Sequence, residues 1–142
     1  MKKTILNNRA KSFVVIMITI AIVALFLRFA IEKIIDISIE QNESQATQVL
    51  KLISAALENY ADNNSHIYPK DLSELTKTNP PYLDEEYTAE GIINGYRFGC
   101  PRMQASGYSC SAMPLRCNVS GRNVYNVTTG GILVSEKCER KE

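Results

Sequence analysis

The sequence predicts an α+β protein: a long N-terminal helix, apolar enough at its start to cross a membrane, packed on a small antiparallel sheet of three to four strands. Three observations carry that prediction. Residues 13–27 form an apolar run without a charge. No Pro occurs before Pro69 and no Gly before Gly91, while apolar residues recur at spacings of three and four as far as Tyr60. From Gly95 the period changes to two, the alternation of half-buried strands. At 142 residues there is room for one compact domain and one appendage, which leaves out a two-domain enzyme with separate cofactor and substrate halves.

Residues 1–12 read as a basic cytoplasmic leader, with Lys2, Lys3, Arg9 and Lys11 and no acid. Adding Arg28, the first 31 residues hold five cations and no anion, whereas the remainder holds eleven bases against fifteen acids. The overall formal charge of +1 gives no electrostatic footprint for nucleic acid, and none is expected as a partner. Thr19 is the only polar interruption of FVVIMITIAIVALFL, Phe13 to Leu27. Those residues rise only about 22 Å as a helix. If Arg28 snorkels to the headgroups, Phe29, Ala30 and Ile31 extend the span to about 28 Å, enough to cross a bilayer. Residues 13–31 are therefore read as a transmembrane helix, oriented by the cations before it with the N-terminus cytoplasmic and the rest outside. A cleaved secretory signal would need small residues where LRFAIEK places Arg28. A buried core helix would have to be wrapped on every side by a very small domain.

Residues 32–62 continue the same helix in amphipathic form. Ile31, Ile34, Ile35, Ile39, Ala46, Val49, Leu50, Ile53, Ala56, Leu57 and Tyr60 mark one face, and Glu32, Lys33, Asp36, Glu40, Glu43, Gln48, Lys51, Ser54 and Glu58 are assigned to the opposite, polar face. One helix of about 50 residues, roughly 75 Å long, follows. Its least apolar part, SIEQNESQ from Ser38 to Gln45, is where it is expected to begin packing on its own domain. Asp62, Asn63, Asn64 and Ser65 stop it, because their side chains compete for backbone hydrogen bonds.

Residues 63–142 make up the globular domain. HIYPKDLSELTK is expected to be a short helix with Pro69 in its first turn, and NPPYLDEE an extended passage. GYRFGC places Tyr96, Phe98 and Cys100 on one face; GYSCSAM does the same for Tyr108, Cys110 and Ala112. NVYNVT and ILVSE are further strands, joined by the turn signal TTGG at Thr128 to Gly131. The sheet packs most simply on the stripe from Ala46 to Tyr60.

In this order the basic leader, the apolar helix opening on Phe, its continuation NESQATQVLKLISAALENYADNN, then IYPKDLSEL, PYLDEE, GYRFGC, GYSCSAMP and VTTGGIL resemble a type IV pilin-like protein, the superfamily of bacterial pilins and type II secretion pseudopilins. The likeness covers Lys11 to Glu136. It implies a bacterial inner-membrane subunit whose leader is cut by a prepilin peptidase between Ser12 and Phe13, with an assembly platform in that membrane as a further partner. The family signature is a Gly before the cut, a methylated Phe after it, and a Glu at the fifth mature position. Here those positions hold Ser12, Phe13 and Met17, and the Pro many members carry about twenty residues in is Ile34. In the family that Glu neutralises the terminal amine of a neighbouring subunit inside the filament.

Cys100, Cys110, Cys117 and Cys138 all lie on the outer side, where disulfides persist in an oxidising compartment. Four Cys pair in three ways. If the two Gly-Tyr strands form a hairpin, Cys100 and Cys110 share a face of neighbouring strands; bonding them leaves Cys117 to Cys138. The spacings contain no CxxC knuckle, so neither a zinc site nor redox catalysis is expected. His66, the only His, sits in a polar turn, and Asp84, Glu85 and Glu86 read as a solvated run before they read as calcium ligands. With no phosphate loop, nucleophile elbow or His-acid cluster, no catalytic residue, metal or cofactor is assigned.

The function expected is structural. The apolar positions Phe13, Val14, Ile16, Met17, Ile20, Val23, Leu27, Ile31, Ile34 and Ile35 would anchor the chain in the membrane and then pack against like helices of other subunits in a pilus or pseudopilus. The alternative is a single-pass anchored domain that binds a partner outside the membrane and never polymerises.

Overall fold

The computed structural model of the chain describes residues 5–85, 87 and 91–139, with the backbone alone for 5–12. The elements run α1 (Ile5–Asn63), α2 (Ser73–Lys77), β1 (Ile92–Ile93), β2 (Tyr96–Gln104), β3 (Gly107–Pro114), β4 (Asn123–Thr128) and β5 (Ile132–Lys137). The fold is α+β: a long apolar N-terminal helix and an antiparallel sheet of order β1-β2-β3-β4-β5. The chain divides into two compact units at Ile37/Ser38, so that the last part of α1 belongs to the unit containing the sheet.

α1 is 59 residues long and begins at Ile5 rather than Phe13, since nothing in the leader breaks a helix. It ends where the asparagines cap it. Asn63 Nδ2 donates to Asn59 O (2.9 Å) and Asn64 Nδ2 to Tyr60 O (2.8 Å), satisfying carbonyls that have lost their intrahelical partners. Ser65 and His66 then take left-handed φ of 56° and 62°, and the His66 N–H closes on Ala61 O at 2.8 Å. The short helix is smaller than the sequence suggests: α2 holds five residues, and Pro69 lies before it, buried. Tyr68 explains the difference. Its N–H bonds Ala105 O in the β2–β3 turn (3.2 Å), which holds the preceding segment extended, and helix begins only after Asp71 accepts the Ser73 and Glu74 N–H groups.

The sheet has five strands, not three or four. The extra strand is β1, whose Ile92 and Ile93 pair with Arg97 and Tyr96 across a two-residue turn. Asn94 and Gly95 supply that turn with φ of 47° and 76°, the left-handed pair that a tight hairpin of this hand requires. In β2 the register with β3 shifts between Gly99 and Arg102, a bulge at Cys100 and Pro101; a proline has no N–H to leave unpaired there. Cys100 is bonded to Cys110 and Cys117 to Cys138, at sequence separations of 10 and 21. Loops of that size stabilise by about 3 kcal/mol each, mainly by limiting the unfolded chain.

One core holds the domain together. Ala46, Leu50, Ile53, Ala56 and Leu57 on α1 pack with Tyr96 and Phe98 of β2, Tyr108, Cys110 and Ala112 of β3, and Tyr125 and Val127 of β4. Leu72 and Leu75 close it from the α2 side. Tyr96 is wholly buried, and its hydroxyl reaches Asn123 O at 2.8 Å by passing over Gly121, where a Cβ would collide with the ring.

Candidate assembly helix

From Phe13 to Ile35, α1 buries no side chain. Each residue from Phe13 to Ile35 is exposed, including Phe13, Val14, Ile16, Met17, Ile20, Val23, Leu27, Ile31, Ile34 and Ile35. An 18-residue window here has a mean hydropathy of 2.8 with none of it buried, long and apolar enough to span a membrane. A helix that is apolar all round has no polar face to offer water. The one hydroxyl in the run is satisfied internally: Thr19 Oγ1 donates to Val15 O at 2.8 Å. Arg28 pairs with Glu32 (3.4 Å, i and i+4) at the end of the apolar stretch, both side chains exposed. The Ser12 side chain lies outside the described residues.

Further along, two carboxylates assigned to the solvent side by periodicity face the sheet instead. Glu43 Oε1 accepts the N–H of Arg122 (2.6 Å), the N–H of Asn123 (3.1 Å) and Asn123 Nδ2 (3.3 Å). Fifteen residues on, Glu58 Oε1 accepts the Tyr108 hydroxyl (2.9 Å) and the Gly130 N–H (2.7 Å), while its Oε2 accepts the Tyr68 hydroxyl (2.8 Å). Ser54, also placed on the polar side, is buried and shares a hydrogen bond with the Tyr108 hydroxyl at 2.8 Å. The helix is thus tied to the loop before β4 at one end and to the β4–β5 turn at the other. Asn42 Nδ2 to Ser120 O (3.0 Å) adds to the first tie, and the Asn94–Gln45 side-chain bond joins the helix to the β1–β2 turn.

These ties shift the titrations. Burial by itself would raise the Glu58 carboxyl, but hydrogen bonds from Tyr68, Tyr108, Gly130 and Gly131 outweigh it and hold the group below its usual value. Burial, followed by Glu58, pushes Tyr68 up to about 12. Burial is again the main cause that takes Tyr108 to about 12, the Ser54 bond opposing and Glu58 reinforcing it. A carboxyl depressed in the folded state stabilises that state above its unfolded pKa, and the gain is lost as pH falls through the folded value. Acid titration of the full chain in detergent should therefore show stability falling on acidification below the ordinary carboxyl value of 4.5. Glu58→Gln is expected to flatten that part of the profile and to cost about 2 kcal/mol at neutral pH, because an amide cannot accept all three donors. Urea unfolding against pH reads both effects; an unchanged acid slope in the variant would contradict them.

Other candidate side chains are not brought together. His66 is solvent-exposed, its Nδ1 lying 3.7 Å from an Asp62 oxygen. Asp84 and Glu85 are exposed, and Glu86 lies outside the described residues. Among the described residues no group of three His, Cys, Asp or Glu is placed to hold a metal ion. The cysteines are disulfide-bonded and hold no thiol for chemistry. A cleft of about 520 Å³ lies beside the Cys117–Cys138 bond, lined by Met113, Leu115, Val119 and Val124 among others. No protein-family model, curated protein or solved structure matches the chain.

Proposed function

We propose that this chain is a structural subunit of a type IV pilus-like or type II secretion pseudopilus-like filament, assembled through its apolar N-terminal helix. One observation carries the reading: α1 exposes an all-round apolar stretch from Phe13 to Leu27 and then, without a break, becomes the helix on which the sheet is built. One element thus serves as anchor, assembly surface and scaffold.

The subunit rests in the bacterial inner membrane with residues 1–12 cytoplasmic, the orientation its cations favour, and the globular domain outside. Two disulfides support an oxidising outer compartment. Prepilin peptidase removes the leader after Ser12, and an assembly platform moves the helix out of lipid into a bundle of like helices. Lipid tails and a helix bundle are both apolar, so close packing between subunits, rather than the hydrophobic effect, decides that transfer. Catalysis has no part in it. A second reading, an anchored domain that never polymerises, is favoured by Ser12 and Met17, which replace the family's Gly and Glu. In a filament core the free amine of Phe13 would then lack its carboxylate, and an unpaired buried charge costs several kcal/mol.

A photo-crosslinking residue replacing Val23 separates the two in native membranes. Filament assembly gives a ladder of subunit multimers on illumination; adducts with lipid alone identify the anchored monomer.

A further inference from the structure

The loop between β3 and β4 is braced, yet it turns apolar side chains outward. The Leu115 N–H bonds Gly95 O (2.9 Å), Ser120 and Val119 N–H bond Arg116 O (3.0 and 3.2 Å), and Asn118 N–H bonds Gly121 O (2.8 Å). The Cys117–Cys138 disulfide fixes its middle. Met113, Leu115 and Val119 are nevertheless 47%, 45% and 54% exposed and border one cleft, with Arg116 among them. Arg97 lines a second depression together with Met113, Pro114 and Leu115. Among the described residues lining the cleft, Glu139 is the one acid. Single exposed apolar residues are ordinary, but three held around one cleft by the end of β3 and the braced loop after it remain a loss in water unless something covers them. Apolar side chains interleaved with arginines suit a lipid interface, where the former enter the acyl boundary and guanidinium groups stay level with the phosphates.

The chain places such an interface close by. Asn42 and Glu43 pin this loop through Ser120 O (3.0 Å) and the Arg122 N–H (2.6 Å). Asn42 follows Ile31, the end of the membrane-spanning stretch, by eleven residues, about 17 Å of helix. The loop is thus attached to α1 eleven residues beyond that stretch.

We infer that the Met113–Arg122 loop is an interfacial contact that rests the globular domain on an anionic lipid surface before assembly. It depends on residues 13–31 spanning the membrane and not on filament formation. Moving a subunit into a filament must release it.

The chain contains no Trp, so Leu115→Trp in the full chain gives a single fluorophore on the loop. The protein is reconstituted in vesicles of phosphatidylglycerol and phosphatidylethanolamine carrying bromine at both shallow and deep positions of the acyl chains. The expected result is a blue-shifted emission quenched about twofold or more. Adding Arg116→Glu should reduce that quenching, since one cation at an anionic surface is worth about fivefold in local affinity. Ile67→Trp, exposed beyond the C-terminal end of α1, should stay unquenched, and Ile20→Trp should be quenched. An unquenched Leu115→Trp beside a quenched Ile20→Trp overturns the loop contact alone. If neither is quenched, the membrane-spanning reading falls and the loop contact with it. A blue shift without quenching that grows with protein density identifies a second copy of the chain as the cover and overturns the lipid assignment.

Discussion

Ile20→Asp is expected to cost the chain about 3–4 kcal/mol of membrane insertion, the difference between an isoleucine and an aspartate near the centre of a spanning helix. Ile20 lies within the apolar run, 59% exposed, and no described side chain on α1 between Phe13 and Leu27 carries a charge that could pair with it. The new carboxylate would have to be neutralised or drag water inward. Alkaline carbonate extraction of membranes should recover the wild-type chain in the pellet and move a large share of the variant to the supernatant. Ile67→Asp, on an exposed residue of the globular domain, should leave the partition unchanged. Full retention of Ile20→Asp would mean that this stretch is not what holds the protein to lipid.

Leu57→Ala should remove about 3 kcal/mol from the stability of the globular domain. Leu57 is completely buried among the sheet-facing residues of α1, where truncation leaves a cavity the surrounding helix and strands cannot fill. Leu52, five residues earlier and 52% exposed, is the matched control: Leu52→Ala should change stability by no more than about 0.5 kcal/mol. Urea unfolding of the full chain in detergent, followed by tyrosine fluorescence, measures both. Equal losses at the two positions would mean that the sheet packs on a different face of α1.

Much of this architecture was legible in the residues because its periods are long and uninterrupted. The apolar run from Phe13, the stripe through Leu50, Ile53 and Leu57, and the alternation of Tyr108, Cys110 and Ala112 each follow from one geometric repeat. The errors arose where a polar residue occupied an apolar spacing. Glu43 stands three residues before Ala46 and seven before Leu50, in line with the buried stripe, and Ser54 lies four after Leu50. Chemistry assigned them to solvent, whereas geometry placed them against the sheet. Their partners, the Arg122 and Asn123 N–H groups and the Tyr108 hydroxyl, come from strands and the loop before β4, more than fifty residues away, which no local pattern reveals. β1 was missed although Asn94-Gly95 is a strong hairpin signal, because two strand residues are too few to show a period. The extent of α2 was misjudged because Pro69 suits a helical first turn as well as the buried extended bend it occupies. The apolar stretch of α1 was the most legible part: its signal is composition, and it needs no partner within the chain.

Leader processing separates a filament subunit from a permanent anchor, and intact and N-terminal mass spectrometry decides it on protein taken from native membranes without reductant. The filament reading predicts a chain that starts at Phe13, N-methylated, with Cys100–Cys110 and Cys117–Cys138 intact. A chain that retains Met1 to Ser12 would contradict it, because the cationic leader would hold α1 at the cytoplasmic face and keep the subunit from leaving the membrane.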